Sequence, residues 1–223
     1  KDGALYLIAS IYIITVALFC VTFADIGSFS PGLYLPIWLA FFIKGILLYL
    51  LLWAIPRQIH RRSSRPFSDA VRGLRDIPRP RLISGLLLLM TDAVFYGCFT
   101  TLKTHFPIVR PFLYDVAFAD MDRVLFLGHD PYLLLKPLLA HRWITAIIEF
   151  LYGYIWMALL CVMPALFAFH PRLVQLRQRF FLSFFLAWII AGSVIALFGM
   201  SAGPAFYGAV TGDAQRYAAQ LAF

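Results

Sequence analysis

Two cations seven residues apart are the clearest candidates for chemistry in this sequence. Lys103 and Arg110 belong to a Lys-x6-Arg-Pro segment that directly follows a long apolar run. A lysine ammonium and an arginine fork together suit a phosphoryl group, because one is a point charge and the other donates two parallel hydrogen bonds. We expect Pro107 and Pro111 to interrupt any helix here, so that a bent segment could bring the cations together. The alternative is two solvated cations at the end of a span.

The composition indicates an integral membrane protein. Of 223 residues, 62% are hydrophobic and 13% are charged, against about 45–50% and about 25% in an average soluble domain. The apolar residues form runs that can cross a hydrocarbon core of about 30 Å. We therefore predict an all-α, polytopic helical bundle in a single membrane domain over 1–223. The predicted spans are about 4–24, 33–55, 82–101, 143–169 and 180–201.

Arginines determine the predicted orientation. The loop 56–81 contains eight arginines and two aspartates, and 170–179 contains three arginines and no acid. Basic loops remain in the cytoplasm, so we expect the loop 102–142 and the tail 202–223 on the extracytoplasmic face. The net charge of +8 lies mostly in these basic loops, which favours membrane lipids as partners and argues against nucleic acid.

The outer loop 102–142 holds further polar candidates. Its alternation of apolar and polar residues predicts one or two short helices lying in the membrane interface. His105 could touch a bound phosphate or be a solvated interfacial histidine. Asp122 and Asp130 are secondary candidates for contacts with a headgroup or acceptor.

Glu149 and Tyr152 are further secondary candidates, near the outer end of span four. At helical spacing they share one face with Trp156. The Glu149 carboxylate could therefore face a polar cavity, or it could be an acid that is hydrogen-bonded within the bundle.

Two charges fall near the middle of predicted spans, Lys44 in span two and Asp92 in span three. An isolated charge at that depth costs at least about 2.5–3.5 kcal/mol, so we expect each to need a partner, and each could be the other's. The pair could be structural, or it could belong to a path for protons or substrate. The second possibility makes a small-solute transporter an alternative function.

The Lys-x6-Arg-Pro pattern resembles the first of three motifs in the type 2 phosphatidic acid phosphatase superfamily. Lys103, Arg110 and Pro111 fit this motif without a gap. Further stretches resemble the inositol phosphorylceramide synthase-like, or inositolphosphotransferase, branch, and the resemblance covers roughly 86–210. These stretches are 122–131, 149–156 and 202–208.

The resemblance implies a six-span bundle with an extracytoplasmic site that uses neither a metal nor another cofactor. In that superfamily the motif-one Lys and Arg bind phosphate, one later His protonates the leaving group, and another His becomes a phosphohistidine. This sequence contains no Ser-x-His and no third motif. We expect either that the natural chain continues beyond Phe223 into those motifs, or that this is a degenerate relative that binds lipid phosphate without cleaving it.

The function that we predict is a lipid phosphatase or phospho-headgroup transferase acting on a phospholipid or sphingolipid. The alternatives are a non-catalytic lipid-phosphate-binding protein or partner subunit, and the transporter. Short loops favour a bacterial inner membrane with a periplasmic site, and a Golgi or endoplasmic reticulum membrane with a luminal site is the alternative. A homo-oligomer is compatible with the sequence.

Overall fold

Helices make up most of the chain that the structure describes. The structure is a computed structural model that describes residues 2–75, 77–170, 172–173 and 175–221. Within these ranges it contains helices and no strand, which confirms the predicted all-α class. In chain order the described helices of four or more residues are α1 (Gly3–Phe23), α2 (Leu35–His60), α3 (Pro66–Arg75), α4 (Arg79–Val109), α5 (Asp115–Leu125), α6 (Pro131–Leu139), α7 (Arg142–Phe169), α8 (Arg177–Phe198), α9 (Tyr207–Thr211) and α10 (Ala218–Leu221).

Five of the described helices are long and apolar enough to cross a membrane, namely α1, α2, α4, α7 and α8. Their mean hydropathies over an 18-residue window run from 1.8 to 2.5. Among the described residues, the five predicted spans are thus confirmed as helices of sufficient length and apolarity, and the protein has the character of an integral membrane protein.

The helix α4 extends beyond its predicted end at residue 101 and includes Pro107. The expectation that Pro107 interrupts the helix is wrong. A proline lacks only its own N–H, so the bond lost is the one that the Lys103 carbonyl would accept. Helical bonding resumes at once, because the Arg110 N–H donates to the Phe106 carbonyl at 3.0 Å.

Three of the long helices contain a π-helical segment, at Leu50–Ala54 in α2, Leu151–Ile155 in α7 and Trp188–Ile195 in α8. Such a segment widens the helix and shifts the register of the residues after it. The expected common face of Glu149 and Trp156 assumed an uninterrupted α-helix. It is therefore wrong, because the widened turn lies between these two residues.

The structure divides into two compact units. The first comprises the described part of 1–101 and 156–187. In its core the ring of Phe95 lies 4.6 Å from that of Tyr12 and 4.8 Å from that of Phe185. Within this unit, the contact with Tyr12 joins α4 to α1, and the contact with Phe185 joins α4 to α8.

The second unit comprises 102–155 and the described part of 188–223. Its buried cluster consists of Ala119 on α5 with Tyr207 and Tyr217 from the tail, and Tyr132 on α6 packs against it. Two short helices, α5 and α6, do occur in the predicted outer loop. Their location in a membrane interface stays a prediction. Every candidate of the motif-one segment lies in this second unit.

Candidate functional site

Arg110 follows the last residue of α4 and carries a charge that no carboxylate neutralises within the described ranges. Its half-buried guanidinium donates to the Tyr114 hydroxyl at 3.3 Å. The guanidinium carbon lies 5.9 Å from the ring centre of Tyr114 and 5.4 Å from that of Phe198. Its Nε is buried without a hydrogen-bond partner. The arginine is therefore held by aromatic rings while its positive charge stays without a carboxylate partner among the described residues.

Lys103 is exposed on the same helix, and its ammonium forms no ion pair among the residues that the structure describes. Because helical bonding continues to Arg110, a spacing of seven residues puts both cations on nearly the same helix face. They are separated by about 10.5 Å along the axis. The segment is thus helical and not bent as expected, and the two cations lie one above the other along the helix. To bind one anion together, both side chains would have to extend toward a point between them.

Backbone hydrogen bonds fix the segment after Arg110. The Met200 carbonyl accepts from the N–H groups of Leu113 and Tyr114, both at 3.3 Å. Met200 follows α8, and Phe198 is the last residue of that helix. The same pairing that orders the end of α8 therefore brings a ring against the Arg110 guanidinium.

The buried carboxylate of Asp115 strengthens this pairing. It accepts hydrogen bonds from the Ser201 hydroxyl at 2.8 Å and from the N–H groups of Ala202 and Gly203, both at 2.9 Å. Gly203 has a φ of +77°, a conformation that glycine adopts without steric cost. Asp115 is therefore a positioning residue that ties residues 201–203 to the segment carrying Arg110.

Sequence reasoning did not select Asp115, Tyr114 or Phe198. The one available signal was that an acidic residue is favoured in the first turn of a helix, which fits Asp115 at the start of α5. Nothing in the sequence indicates that its carboxylate bonds a turn 86 residues away. Tyr114 and Phe198 carry no local signal, because aromatic residues are frequent throughout the chain.

A second arginine of the same unit, Arg216, has its positive charge paired with two aspartates. Its side chain is 8% exposed and forms ion pairs with Asp120 at 2.7 Å and Asp130 at 3.3 Å. Asp130 is 6% exposed and also pairs with Arg123 at 3.1 Å. These contacts fasten the tail to α5 and to the start of α6.

The protonation of this cluster follows from burial and its charges. Burial lowers the pKa of Arg216, but hydrogen bonds with Asp120, Tyr207 and Asp130 outweigh that effect and raise the pKa above its usual value. Burial raises the pKa of the Tyr217 hydroxyl, and the nearby Arg216 charge only partly opposes this. At neutral pH the cluster therefore contains a charged arginine and a neutral tyrosine hydroxyl.

The secondary candidates lie elsewhere. Asp122, Glu149 and Tyr152 form no hydrogen bond or ion pair with Arg110 or Lys103 in the described part of the chain, and Glu149 and Tyr152 are exposed on α7.

Two further candidates do have described partners. The His105 ring nitrogen Nδ1 lies 3.1 Å from the Thr104 hydroxyl. Asp130 is occupied by its two arginines. Direct contacts of these residues with a headgroup or acceptor stay predictions.

The predicted pair of Lys44 and Asp92 is not formed. Lys44 is exposed on α2 with its Nζ 5.8 Å from the ring centre of Phe41. Asp92 is 0% exposed on α4, and neither carboxylate oxygen has a hydrogen-bond partner in the described residues. Hydropathy gives the depth of a residue in a span but not its rotation about the helix axis, which is why the pairing was wrong.

Cavities and metal ligands give no further support to the predicted site. A surface cleft in the first unit is lined by Phe167, Arg179 and Phe184, among others, and contains none of the predicted site residues. Among the described residues, no group of three His, Cys, Asp or Glu side chains could hold a metal ion.

Comparison of the chain with protein-family models, curated proteins and solved structures finds no match. The geometry around Arg110 and the motif that contains it are therefore the basis for a functional proposal.

Proposed function

We propose that the protein binds the phosphate group of a membrane lipid through Arg110 and Lys103, as a lipid phosphatase or phospho-headgroup transferase. The observation that carries this proposal is the uncompensated charge of Arg110. Its described partners are a tyrosine hydroxyl and two aromatic rings, and none of them is an anion. A half-buried guanidinium without a counter-charge is costly unless a ligand supplies one.

A phosphate ester suits this arrangement chemically. The guanidinium fork can donate to two phosphate oxygens, and the lysine adds a mobile point charge from two turns earlier. Attraction between opposite charges is several times stronger beside an apolar medium than in bulk water. Cations held in place before the ligand arrives would also neutralise charge that develops on phosphoryl oxygens during transfer.

The surroundings favour a lipid over a soluble phosphate ester. Apolar side chains next to Arg110 are exposed, with Val109 at 47%, Leu113 at 59% and Phe198 at 59%. Acyl chains would cover these groups when the headgroup reaches the guanidinium. The substrate would then arrive sideways from the membrane, at the extracytoplasmic face that the positive-inside rule assigns to this segment.

The resemblance to the type 2 phosphatidic acid phosphatases supports catalysis, because Lys103, Arg110 and Pro111 match the phosphate-binding motif of that superfamily. The histidines of its other two motifs do not occur in this sequence. The second candidate is therefore a lipid-phosphate-binding protein without turnover. It is favoured by the described contacts of Arg110, which are Tyr114 and Phe198 and include no histidine.

The test is binding of a short-chain phosphatidic acid to the intact protein in detergent, with the matching diacylglycerol as ligand control. Loss of a charged hydrogen bond should weaken phosphatidic acid binding about tenfold to a hundredfold in Lys103→Gln and in Arg110→Gln. Arg142→Gln removes an exposed cation from the start of α7 and should bind normally. Equal affinities of both site variants and the unaltered protein, with folding preserved, would refute the phosphate assignment.

Turnover separates the two candidates. Release of phosphate, or transfer of the headgroup to a lipid hydroxyl, would establish the enzyme. Binding that depends on Arg110 but is never followed by cleavage would establish the non-catalytic binder.

A further inference from the structure

We propose that residues 55–75, here named the arginine hairpin, form a binding site for anionic phospholipid headgroups that is independent of Arg110. The hairpin consists of the last turns of α2, a short turn and α3. Ala70 on α3 is 4% exposed and packs against Leu50 and Ala54 of α2. This contact folds α3 back onto the end of a membrane span, so the turn has a defined position.

The hairpin carries a large excess of positive charge. Residues 57–72 contain five arginines and one aspartate. The aspartate, Asp69, accepts a hydrogen bond from the Ser63 hydroxyl and pairs with Arg72 at 3.3 Å. It thereby holds the turn together, and Arg61, Arg62 and Arg65 have no acidic partner among the described residues.

Three arginines lie within the turn itself, at positions 61, 62 and 65. All three are exposed, and none forms an ion pair with a described residue. The turn is ordered, because the Arg65 N–H donates to the Ser63 hydroxyl at 3.1 Å and the Ser63 N–H donates to the Gln58 carbonyl at 3.0 Å. Three guanidinium groups are thus presented from a fixed backbone.

The backbone of Arg62 adds an independent indication. Its φ is +56°, a left-handed conformation that glycine or asparagine adopts at lower cost than arginine. An arginine at such a position is explained if its side chain contributes to binding.

Exposed apolar side chains among these arginines indicate which class of anionic partner the hairpin binds. Ile59 is 58% exposed and Phe67 is 64% exposed. A nucleic acid or an acidic protein would bind the arginines without burying these apolar side chains. At the boundary between headgroups and acyl chains, apolar side chains are buried while arginines contact the headgroups. The hairpin is also connected directly to α2 and α4, both long enough to span, so it stays at the membrane surface. Anionic phospholipid is therefore the partner that we assign.

The experiment counts lipids bound to the intact protein by native mass spectrometry, with short-chain phosphatidylglycerol and phosphatidylcholine as probes. All variants carry Arg110→Gln, so that the proposed outer phosphate site does not contribute. The test variant replaces Arg61, Arg62 and Arg65 by Gln. A control of equal charge replaces Arg142, Arg172 and Arg179 by Gln, and a second variant replaces the three turn arginines by Lys.

We expect phosphatidylglycerol to bind at least about tenfold more tightly than phosphatidylcholine, since each basic residue at a membrane surface contributes to anionic lipid attraction. The Gln variant should lose this preference, while the charge control and the Lys variant should keep most of it. High salt should weaken the preference in the unaltered hairpin.

Two results would overturn the proposal. One is an unchanged preference for phosphatidylglycerol in the Gln variant, with its circular dichroism spectrum intact. The other is binding of a single-stranded oligonucleotide that depends on the same three arginines while both lipids bind equally, which would assign the hairpin to a nucleic acid.

Discussion

Arg110 and Arg216 stand among aromatic rings in the same way but differ in the carboxylates around them. The guanidinium carbon of each lies between 5.4 and 5.9 Å from the centres of two rings, and the Nε of each is buried without a hydrogen-bond partner. Arg216 has two aspartate partners, Asp120 and Asp130. Within the described ranges Arg110 has none. The unpartnered Nε therefore does not distinguish the two residues, whereas the missing counter-charge does.

The difference separates a structural arginine from one that is available to a ligand. At about 4 Å an ion pair near a protein surface gains about 4 kcal/mol of Coulomb energy. Around Arg216 this attraction is used within the protein, where it connects the tail to α5 and α6. Around Arg110 the same attraction remains available, and aromatic rings keep the guanidinium in place without neutralising it.

The largest expected effect is on stability, in Arg216→Gln. This change leaves the buried Asp130 with Arg123 as its remaining described partner. Breaking a buried ion pair from one side costs about 3–5 kcal/mol, and the free energy of unfolding in detergent should fall accordingly. The matched change Arg110→Gln leaves no carboxylate unpaired and should cost less than about 1 kcal/mol. Equal losses in the two variants would remove the distinction between these arginines.

The next prediction tests whether Asp115 positions the segment that carries Arg110. Asp115→Asn weakens the bonds to Ser201, Ala202 and Gly203 and should cost about 1.5–3 kcal/mol of stability. It should also weaken phosphatidic acid binding several-fold without removing it, because the arginine remains but Phe198 is held less firmly. Unchanged affinity in this variant would show that Arg110 is oriented without Asp115.

Asp92 extends the comparison to an acid, since it is also buried and unpartnered. Because Lys44 does not reach it in the described structure, the two side chains should be energetically independent. A double-mutant cycle of Asp92→Asn and Lys44→Gln should give a coupling energy within about 0.5 kcal/mol of zero. Asp92→Asn alone should be neutral or stabilising, because it replaces a buried carboxyl by an uncharged amide. A clear coupling energy would restore the predicted ion pair.

The smallest effect is on the pH dependence of stability and comes from Tyr217, which lies beside Arg216. The pKa of Tyr217 is raised, chiefly by burial, so the folded state favours the neutral phenol. Its contribution to stability is then fully present below the ordinary tyrosine pKa of about 10 and is lost as pH rises through the raised value. Tyr217→Phe should reduce the alkaline loss of stability in an unfolding series from pH 8 to 11. The same alkaline slope in both proteins would contradict the assignment.

The parts of this structure that hydropathy controls could be predicted from sequence. The five apolar runs became five helices long enough to span, because burial in lipid requires internal hydrogen bonding over about twenty residues. Arg110 was expected at the outer end of span three and lies directly after α4. These features depend on local composition, which a single sequence contains.

The failures depend on rotation and register. Pairing Lys44 with Asp92 required knowledge of which way each helix faces. The shared face of Glu149 and Trp156 failed because a widened turn lies between them. The bond from Ser201 to Asp115 joins residues 86 positions apart, and no local pattern specifies such a partner. Most of the framework could thus be anticipated, whereas the charge balance that distinguishes Arg110 from Arg216 could not.

The most direct test is the thermal stabilisation that a short-chain phosphatidic acid gives to the intact protein, to Arg110→Gln and to Arg216→Lys. A ligand at a hundred times its dissociation constant stabilises the folded state by about 2.7 kcal/mol. We predict this gain for the unaltered protein and the full gain, from a lower starting stability, for Arg216→Lys. For Arg110→Gln, whose affinity should be tenfold to a hundredfold lower, the same ligand concentration should give only about 0.4–1.4 kcal/mol. An undiminished gain in Arg110→Gln would contradict the claim that Arg110 holds the phosphate.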